Sequence, residues 1–251
     1  MRLWRGGGSP KMAAAQDPQG EQAGMSVKDK AKLHLRKFDV GDKFSYLPLA
    51  KASVLVPLMV RDGKLCVLFT VRSMKLTRSP GEVCFPGGRR EPTDIDEIAT
   101  ALREAEEEVG LRAEQAEVIC RLVPGIDRTH SIVTPVVAFI EDSFQAHPNP
   151  EEVSDIFYVP LEYFLRPSKY KALHVQMLGQ ASVPVHFFEY DDPERNLSFA
   201  IWGLTAHFTV FLALAVFGEK PTFEVDYDLD NLISSAESNF MRLYNTTKNK
   251  L

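Results

Sequence analysis

The sequence predicts an α+β fold in which a mixed β-sheet carries helices packed against it. Three observations point there. β-rich runs dominate the early chain, and helical patterns interrupt them one at a time rather than in a block. One segment, Asp94 to Val109, combines a helical apolar stripe with chemical markers at both ends. The chain has 251 residues, 45% hydrophobic and 25% charged, which is enough to bury a large core and ordinary for a globular protein. Those values exclude a collagen, a coiled coil and a chain disordered throughout.

In chain order, residues 1–24 read as a disordered leader, with Gly6-Gly7-Gly8, Pro10 and a polar stretch that has no period. Arg2, Arg5 and Lys11 precede the first acid, Asp17, so a transit peptide is the alternative. Residues 25–246 are expected to form one domain, and 247–251 a tail. Ser53–Val60 and Lys64–Val71 are β-rich runs around Arg61-Asp62-Gly63, a hairpin signal. Gly81–Phe85 reads as a short strand before a Pro-Gly-Gly turn. Further strands are expected at Ala116–Val123, Ser131–Ile140, Ile156–Val159, Val183–Tyr190 and Leu197–Trp202. Helices are expected at Asp94–Val109, near Leu161–Leu165, at Leu204–Phe217 and around Leu229–Leu243. The most apolar stretch, Ile201–Phe217, contains Thr205 and His207 and is shorter than the ~20 apolar residues of a membrane span, so it reads as a core helix.

Charge and cysteine usage narrow the function classes. With 29 basic and 34 acidic residues the net charge is −5, so there is no global attraction to nucleic acid or anionic lipid. Any phosphate-binding site must be local. Cys66, Cys84 and Cys120 are odd in number and widely spaced, which excludes a disulfide framework and favours a reducing compartment. No Cys or His cluster has zinc-ligand spacing.

The chemistry concentrates in the segment from Gly87 to Leu111. Thr93 or Asp94 can cap a helix, with Asp96 or Glu97 three residues on as the reciprocal partner, and Gly110 suits a left-handed terminus. Ile95, Ile98, Leu102, Ala105 and Val109 fall on one stripe expected to face the core. Glu104, Glu107 and Glu108 share an arc on roughly the opposite side, where like charges cost about 0.2–0.5 kcal/mol per pair. Such a face is either solvated or a divalent-cation site. Its neighbourhood favours the cation: Gly87-Gly88 offer backbone N–H groups to an anion, and Arg72, Lys75, Arg78, Arg89 and Arg90 lie in a stretch whose only acid is Glu82. A phosphate ester bridged by Mg²⁺ or Mn²⁺ fits that pairing of basic loop and acidic helix.

This segment resembles the Nudix hydrolase signature, whose C-terminal half runs Arg-Glu-U-x-Glu-Glu-x-Gly-U with U a bulky aliphatic residue. Arg103-Glu104-Ala105-Glu106-Glu107-Glu108-Val109-Gly110-Leu111 matches it, with Ala105 the one smaller substitute. The preceding loop is one residue longer than the signature's. Its first acid therefore falls on Asp94 counting forward from Gly88 and on Ile95 counting back from Arg103. Upstream, Leu68-Phe69-Thr70-Val71-Arg72-Ser73, Gly81 and Phe85-Pro86-Gly87-Gly88 resemble the extra motif of the coenzyme A diphosphatase branch, although Thr77 stands where that branch has an arginine. The nearest likeness within the branch is to its animal peroxisomal members.

The resemblance implies a Nudix fold, an α/β/α sandwich, and hydrolysis of the pyrophosphate of coenzyme A or acyl-coenzyme A to 3′,5′-ADP and (acyl-)4′-phosphopantetheine. It implies Glu104 and Glu108 as metal ligands, Glu107 as a further ligand or water-orienting base, and Arg103 as the group holding Glu107. Arg72 and Arg78 become candidates for substrate phosphate, beside Gly87 and Gly88, and Glu152 or Asp94 for a further acid. Another nucleoside diphosphate, such as NADH or ADP-ribose, and a non-catalytic coenzyme A-binding module are the competing readings. Asn249-Lys250-Leu251 resembles a C-terminal address read by the peroxisomal import receptor, with mitochondrion or cytosol as alternatives. Neither nucleic acid nor membrane is an expected partner. Cys84, His130, His186 and His207 read as core residues, and Phe187-Phe188 and Phe208–Phe211 as core packing with an acyl pocket as the alternative.

Overall fold

The computed structural model describes residues 24–175 and 183–249. A first helix, α1 (Val27–Leu35), starts from Ser26, whose hydroxyl accepts from the Asp29 N–H. Strands β1 (Lys51–Arg61) and β2 (Lys64–Arg72) follow as the expected hairpin. Its turn puts Asp62 at φ 49° and Gly63 at φ 73°, the two left-handed residues that match the twist of paired strands.

The main sheet grows around that hairpin in the order β3-β2-β1-β7-β5, with β3 at Val83–Cys84, β5 at Ala116–Arg121 and β7 at Ile132–Ile140. Every pairing is antiparallel except β1 with β7, which run parallel from Lys51↔Ile132 to Leu58↔Phe139. Three further strands attach to this path: β4 (Gly87–Arg89) on β1, β6 (Gly125–Ile126) on β7, and β8 (Val153–Pro160) on β2.

β1 and β2 pair only near their turn, where Leu58 to Arg61 face Val67 to Lys64. Beyond it they separate, and residues 83–89 fill the gap. β3 pairs with β2 at Cys84↔Thr70, β4 pairs with β1 at Gly87↔Val54, and the Leu55 N–H donates to the Pro86 carbonyl between them. The two glycines therefore lie inside the sheet.

The two faces of the sheet bury different sets of side chains, as strand alternation requires. On one, Leu55, Met59, Leu68, Val136 and Ala138 pack against Ala101, Ala105 and Val109 of α2 (Glu97–Val109). On the other, Val56, Leu58, Val67, Phe69 and Val137 pack toward α1, α3 (Gly203–Phe217) and α4 (Leu232–Lys248). This is the expected α/β/α arrangement. A separate antiparallel sheet of β9 (Tyr170–Val175), β10 (Val183–Asp192) and β11 (Leu197–Trp202) leads into α3. No helix among the described residues is long and apolar enough to cross a membrane.

Several expectations need correction. The carboxylate helix starts at Glu97, not Asp94, and its cap is Asp96, whose Oδ1 accepts from the Ala99 N–H at 2.8 Å. Ile95 therefore lies before the helix and is 84% exposed rather than on the core stripe. Gly87-Gly88 begin a strand rather than forming a turn, and the segment before them pairs only over Val83–Cys84. Leu161–Phe164 is a 3₁₀ turn, and the last helix runs Leu232–Lys248 after a 3₁₀ turn at Leu229–Asn231. His130 sits in a turn with φ 63°, not in the core. The leader and Lys250-Leu251 lie outside the described residues.

Candidate active site

Gly110 ends α2 as expected. It takes φ 71°, its N–H donates to the Glu106 carbonyl, and the Leu111 N–H reaches back to the Ala105 carbonyl. This fixes the last turn over the gap filled by residues 83–89. The expectation that the three glutamates face away from the core is corrected here. Glu108 is 3% exposed and points into the gap, where its Oε2 accepts from the Gly87 N–H at 3.3 Å. Glu104 is directed at Gly88 so closely that a Cβ on that glycine would lie 2.5 Å from the Glu104 carboxyl carbon. Any side chain at position 88 would have to displace that carboxylate. Glu107 alone of the three is largely exposed.

One cation organises these acids. Arg103 donates from Nε and Nη2 to the two oxygens of Asp94 at 3.0 and 3.1 Å, and from Nη2 to the Arg89 carbonyl at 3.0 Å. The same guanidinium lies 3.0 Å from Glu104 and 3.1 Å from Glu107. Asp94 also accepts from the Thr100 hydroxyl and the Glu91 N–H. The Arg103 contacts above all hold its carboxyl far below the usual range despite burial. Asp94 is thus committed to Arg103 rather than to the carboxylate pair.

Burial, then the Glu104 charge, pushes Glu108 up to about 8. Burial likewise raises Glu104, with Arg103 opposing it. Glu152 adds negative potential at both. It arrives on the loop before β8, where its carbonyl accepts from the Ser73 N–H at 2.8 Å and its carboxylate from Asn149 Nδ2 at 3.3 Å. Arg72, at the end of β2, offsets part of the charge at Glu108 and donates from Nε to the Arg78 carbonyl at 3.2 Å. Glu104, Glu108, Glu152, Arg72, Gly87 and Gly88 are therefore brought together. Arg78 joins them through its carbonyl, and Glu107 and Asp94 through Arg103.

Among the described residues, no three acids are already gathered at ligand distance around a common point. The donor set nevertheless suits a hard cation: two converging carboxylates, one buried and short of counter-charge, with oxygen donors only. The Ser53 hydroxyl, buried and register-paired with Gly88, has no hydrogen-bond partner among the described residues.

Residues 49–178 match the model of the NUDIX domain. The chain belongs to the Nudix family. It is 50% identical to the mouse protein named peroxisomal coenzyme A diphosphatase NUDT7, over 88% of this chain and 93% of that one. It is 36% identical to the mitochondrial Nudix hydrolase 15 of Arabidopsis thaliana, over 73% of this chain and 68% of that one. The chloroplastic Nudix hydrolase 22 of the same plant is 38% identical, over 69% of this chain and 57% of that one. As a Nudix hydrolase, the chain belongs to a family that uses divalent metal ions. Within the lengthened Nudix loop, Asp94 and not Ile95 meets Arg103.

Sequence reasoning gave no individual role to Thr70, Thr100 or Asn149, nor to Arg90, counted only in the basic stretch, whose side chain donates to the Asp94 and Ile95 carbonyls and fixes the loop before the helix. None has a spacing signal. Cys84, read as a core residue, is half-buried beside the cluster and bonded to Thr70, and burial pushes its thiol up to about 11.

Proposed function

We propose that this Nudix hydrolase cleaves the pyrophosphate of coenzyme A and its acyl thioesters, giving 3′,5′-ADP and (acyl-)4′-phosphopantetheine, with Mg²⁺ or Mn²⁺ as the metal. The observation that carries the reading is the Glu104–Glu108 pair against Gly87-Gly88, in a chain half identical to the mouse coenzyme A diphosphatase across nearly its whole length.

In this reading Glu104 and Glu108 hold the metal, and Glu107 or Glu152 orients the attacking water and takes its proton. The divalent ion, when bound, supplies neutralisation of the pyrophosphate and a lowered pKa for a coordinated water. Arg103 fixes the carboxylates at the N-terminal side of the pair, so little reorganisation is needed when substrate arrives. Arg72 stands where it can meet a phosphate oxygen with a bidentate fork, Arg78 beside it. Mass spectrometry of the products from coenzyme A with Mg²⁺, compared with NADH and ADP-ribose, tests the proposal. Release of 3′,5′-ADP from coenzyme A supports it, and a preference for NADH or ADP-ribose overturns it.

Location is part of the same proposal. The mouse relative is named peroxisomal, while the two plant relatives are named mitochondrial and chloroplastic. We place this chain in the peroxisome, with Asn249-Lys250-Leu251 as the segment read by the import receptor. Deleting Leu251 should leave the protein in the cytosol. Unchanged import, or import that depends on residues 1–24, points to the leader instead.

A further inference from the structure

Beside the carboxylate cluster the fold forms an open cavity of about 720 Å³. Arg72 and Arg78, hydrogen-bonded to one another and the candidate phosphate contacts, form part of its wall with Cys84, so the cavity borders the candidate active site. Opposite them the wall is apolar, made by Leu204, Phe208 and Phe211 of α3 and by Ala236, Phe240 and Leu243 of α4. That volume falls within the roughly 300–1,000 Å³ of small-molecule sites.

The polar groups of the cavity say which end of a substrate fits. His207 meets the Tyr227 hydroxyl, at 3.1 Å from Nε2, and His186 Nδ1 lies 3.0 Å from the Tyr170 hydroxyl. Burial lowers both histidines to about 4, so near neutral pH they are uncharged hydrogen-bonding groups. Four arginines also line the cavity, but at its edges: Arg72 and Arg78 at the end facing the cluster, and Arg128 and Arg242, largely exposed, at the rim, so the inner part between α3 and α4 holds no cation. An adenosine bearing a 3′-phosphate would drag a dianion among neutral groups. An amide-bearing chain ending in a thiol or thioester carries no charge beyond its phosphate.

We propose that this cavity receives the uncharged arm of the substrate, the amide chain extending from the pyrophosphate and any acyl group on it, with Ala236 and Leu243 setting the chain length accepted. The inference rests on the function proposed above and adds its specificity determinant. The acyl terminus lies against Phe211 and Phe240, and the nucleotide stays outside, toward the arginines.

Two substitutions, Ala236→Phe and Leu243→Phe, narrow the cavity from separate positions. In each, the kcat/KM for dodecanoyl-coenzyme A relative to that for free coenzyme A should fall at least about 10-fold, the scale on which small volume changes in apolar pockets discriminate. Thermal-shift titrations of the same proteins should lose the stabilisation by dodecanoyl-4′-phosphopantetheine and keep that by 3′,5′-ADP. Loss of the 3′,5′-ADP response instead puts the nucleotide in the cavity and overturns the inference. Unchanged responses to both ligands overturn it as well. Wild type supplies a check that needs no variant: equal kcat/KM from acetyl- to octadecanoyl-coenzyme A means no cavity measures the chain. Failure of wild type to cleave coenzyme A at all is a different result and sinks the proposed function.

Discussion

Arg103 grips both oxygens of Asp94, at 3.0 and 3.1 Å, across a loop and two turns of helix. Because that guanidinium also borders Glu104 and Glu107, one side chain couples the entry loop to the carboxylate face. The loop is thereby pinned to the helix it precedes.

Asp94→Asn should cost about 3 kcal/mol in urea unfolding, since it strips a largely buried guanidinium of its bidentate counter-ion and leaves it only Glu104 and the exposed Glu107. A carboxyl held below its ordinary range stabilises the fold above that range and loses the effect only as pH falls through it. The wild-type advantage should accordingly be the same at pH 8 and pH 5.5. If it vanishes by pH 5.5, the ion pair is not its source.

Glu108→Gln should lower turnover at least about 100-fold while the protein stays folded. A carboxyl raised to about 8 binds a proton more readily folded than unfolded, so it lowers stability as pH climbs from about 4.5 to 8. Without metal, the variant should match wild type at pH 5 and exceed it by about 1–3 kcal/mol at pH 8.5, measured by chemical denaturation. A destabilised variant at pH 8.5 contradicts the buried, under-compensated carboxylate.

His186 gives the opposite pH dependence. Burial lowers it to about 4, so the unfolded chain binds the proton first as pH drops below about 6.5. Stability should decline between pH 6.5 and 4 by up to about 3 kcal/mol and then level off. Replacing His186 with Gln should make that limb of a calorimetric pH series shallower, the remainder coming from His207, which burial also lowers to about 4. An unaltered limb assigns the loss to other groups.

Arg72→Ala and Arg78→Ala should separate a specific phosphate contact from general positive potential. A charge-assisted fork is worth about 1.5–3 kcal/mol, so the arginine that reads the 3′-phosphate of coenzyme A should cost roughly 10- to 100-fold in kcat/KM. The same change should barely affect dephospho-coenzyme A. Equal losses on both compounds, at fixed ionic strength, remove the specific contact.

Much of the candidate site was legible because the family signature and helical geometry share one spacing: Arg103, Glu104, Glu107, Glu108 and the Gly110 terminus could all be placed on one helix from that resemblance and residue order. The start of that helix could not. Thr93, Asp94 and Asp96 are all good caps, and the choice turned on Arg103 claiming Asp94, a tertiary contact. Glu108 was misjudged as outward because periodicity reports direction around a helix but not what stands beside it; here residues 83–89 close over that flank. Gly87-Gly88 resembled a turn since glycine is weak in strands, yet the close approach of the Ser53 and Val54 backbone to Gly87, and of the Glu104 carboxylate to Gly88, is the reason for glycine. α1, which buries only Ala31 and Leu35, and β9, six residues long, gave little pattern to find. Of the cavity only Phe208 and Phe211 were in view, as the alternative to core packing, because its walls come from elements as distant in the chain as Arg72 and Leu243.

The parallel pairing of β1 with β7 also governs when activity can arise. α2 and the glycine-bearing strand both lie in the connection between those two strands, and α2 packs on Val136 and Ala138 as well as on β1, so the platform under the glutamates is complete only once Ile132–Ile140 has docked. Such distant pairing is slow, since the entropy of closing the loop is lost before the contacts form. A ribosome must therefore release β7 before any nascent chain can hydrolyse substrate. In refolding, catalysis should emerge with the final closure of the sheet rather than with the early hairpin, so an unfinished molecule stays chemically inert.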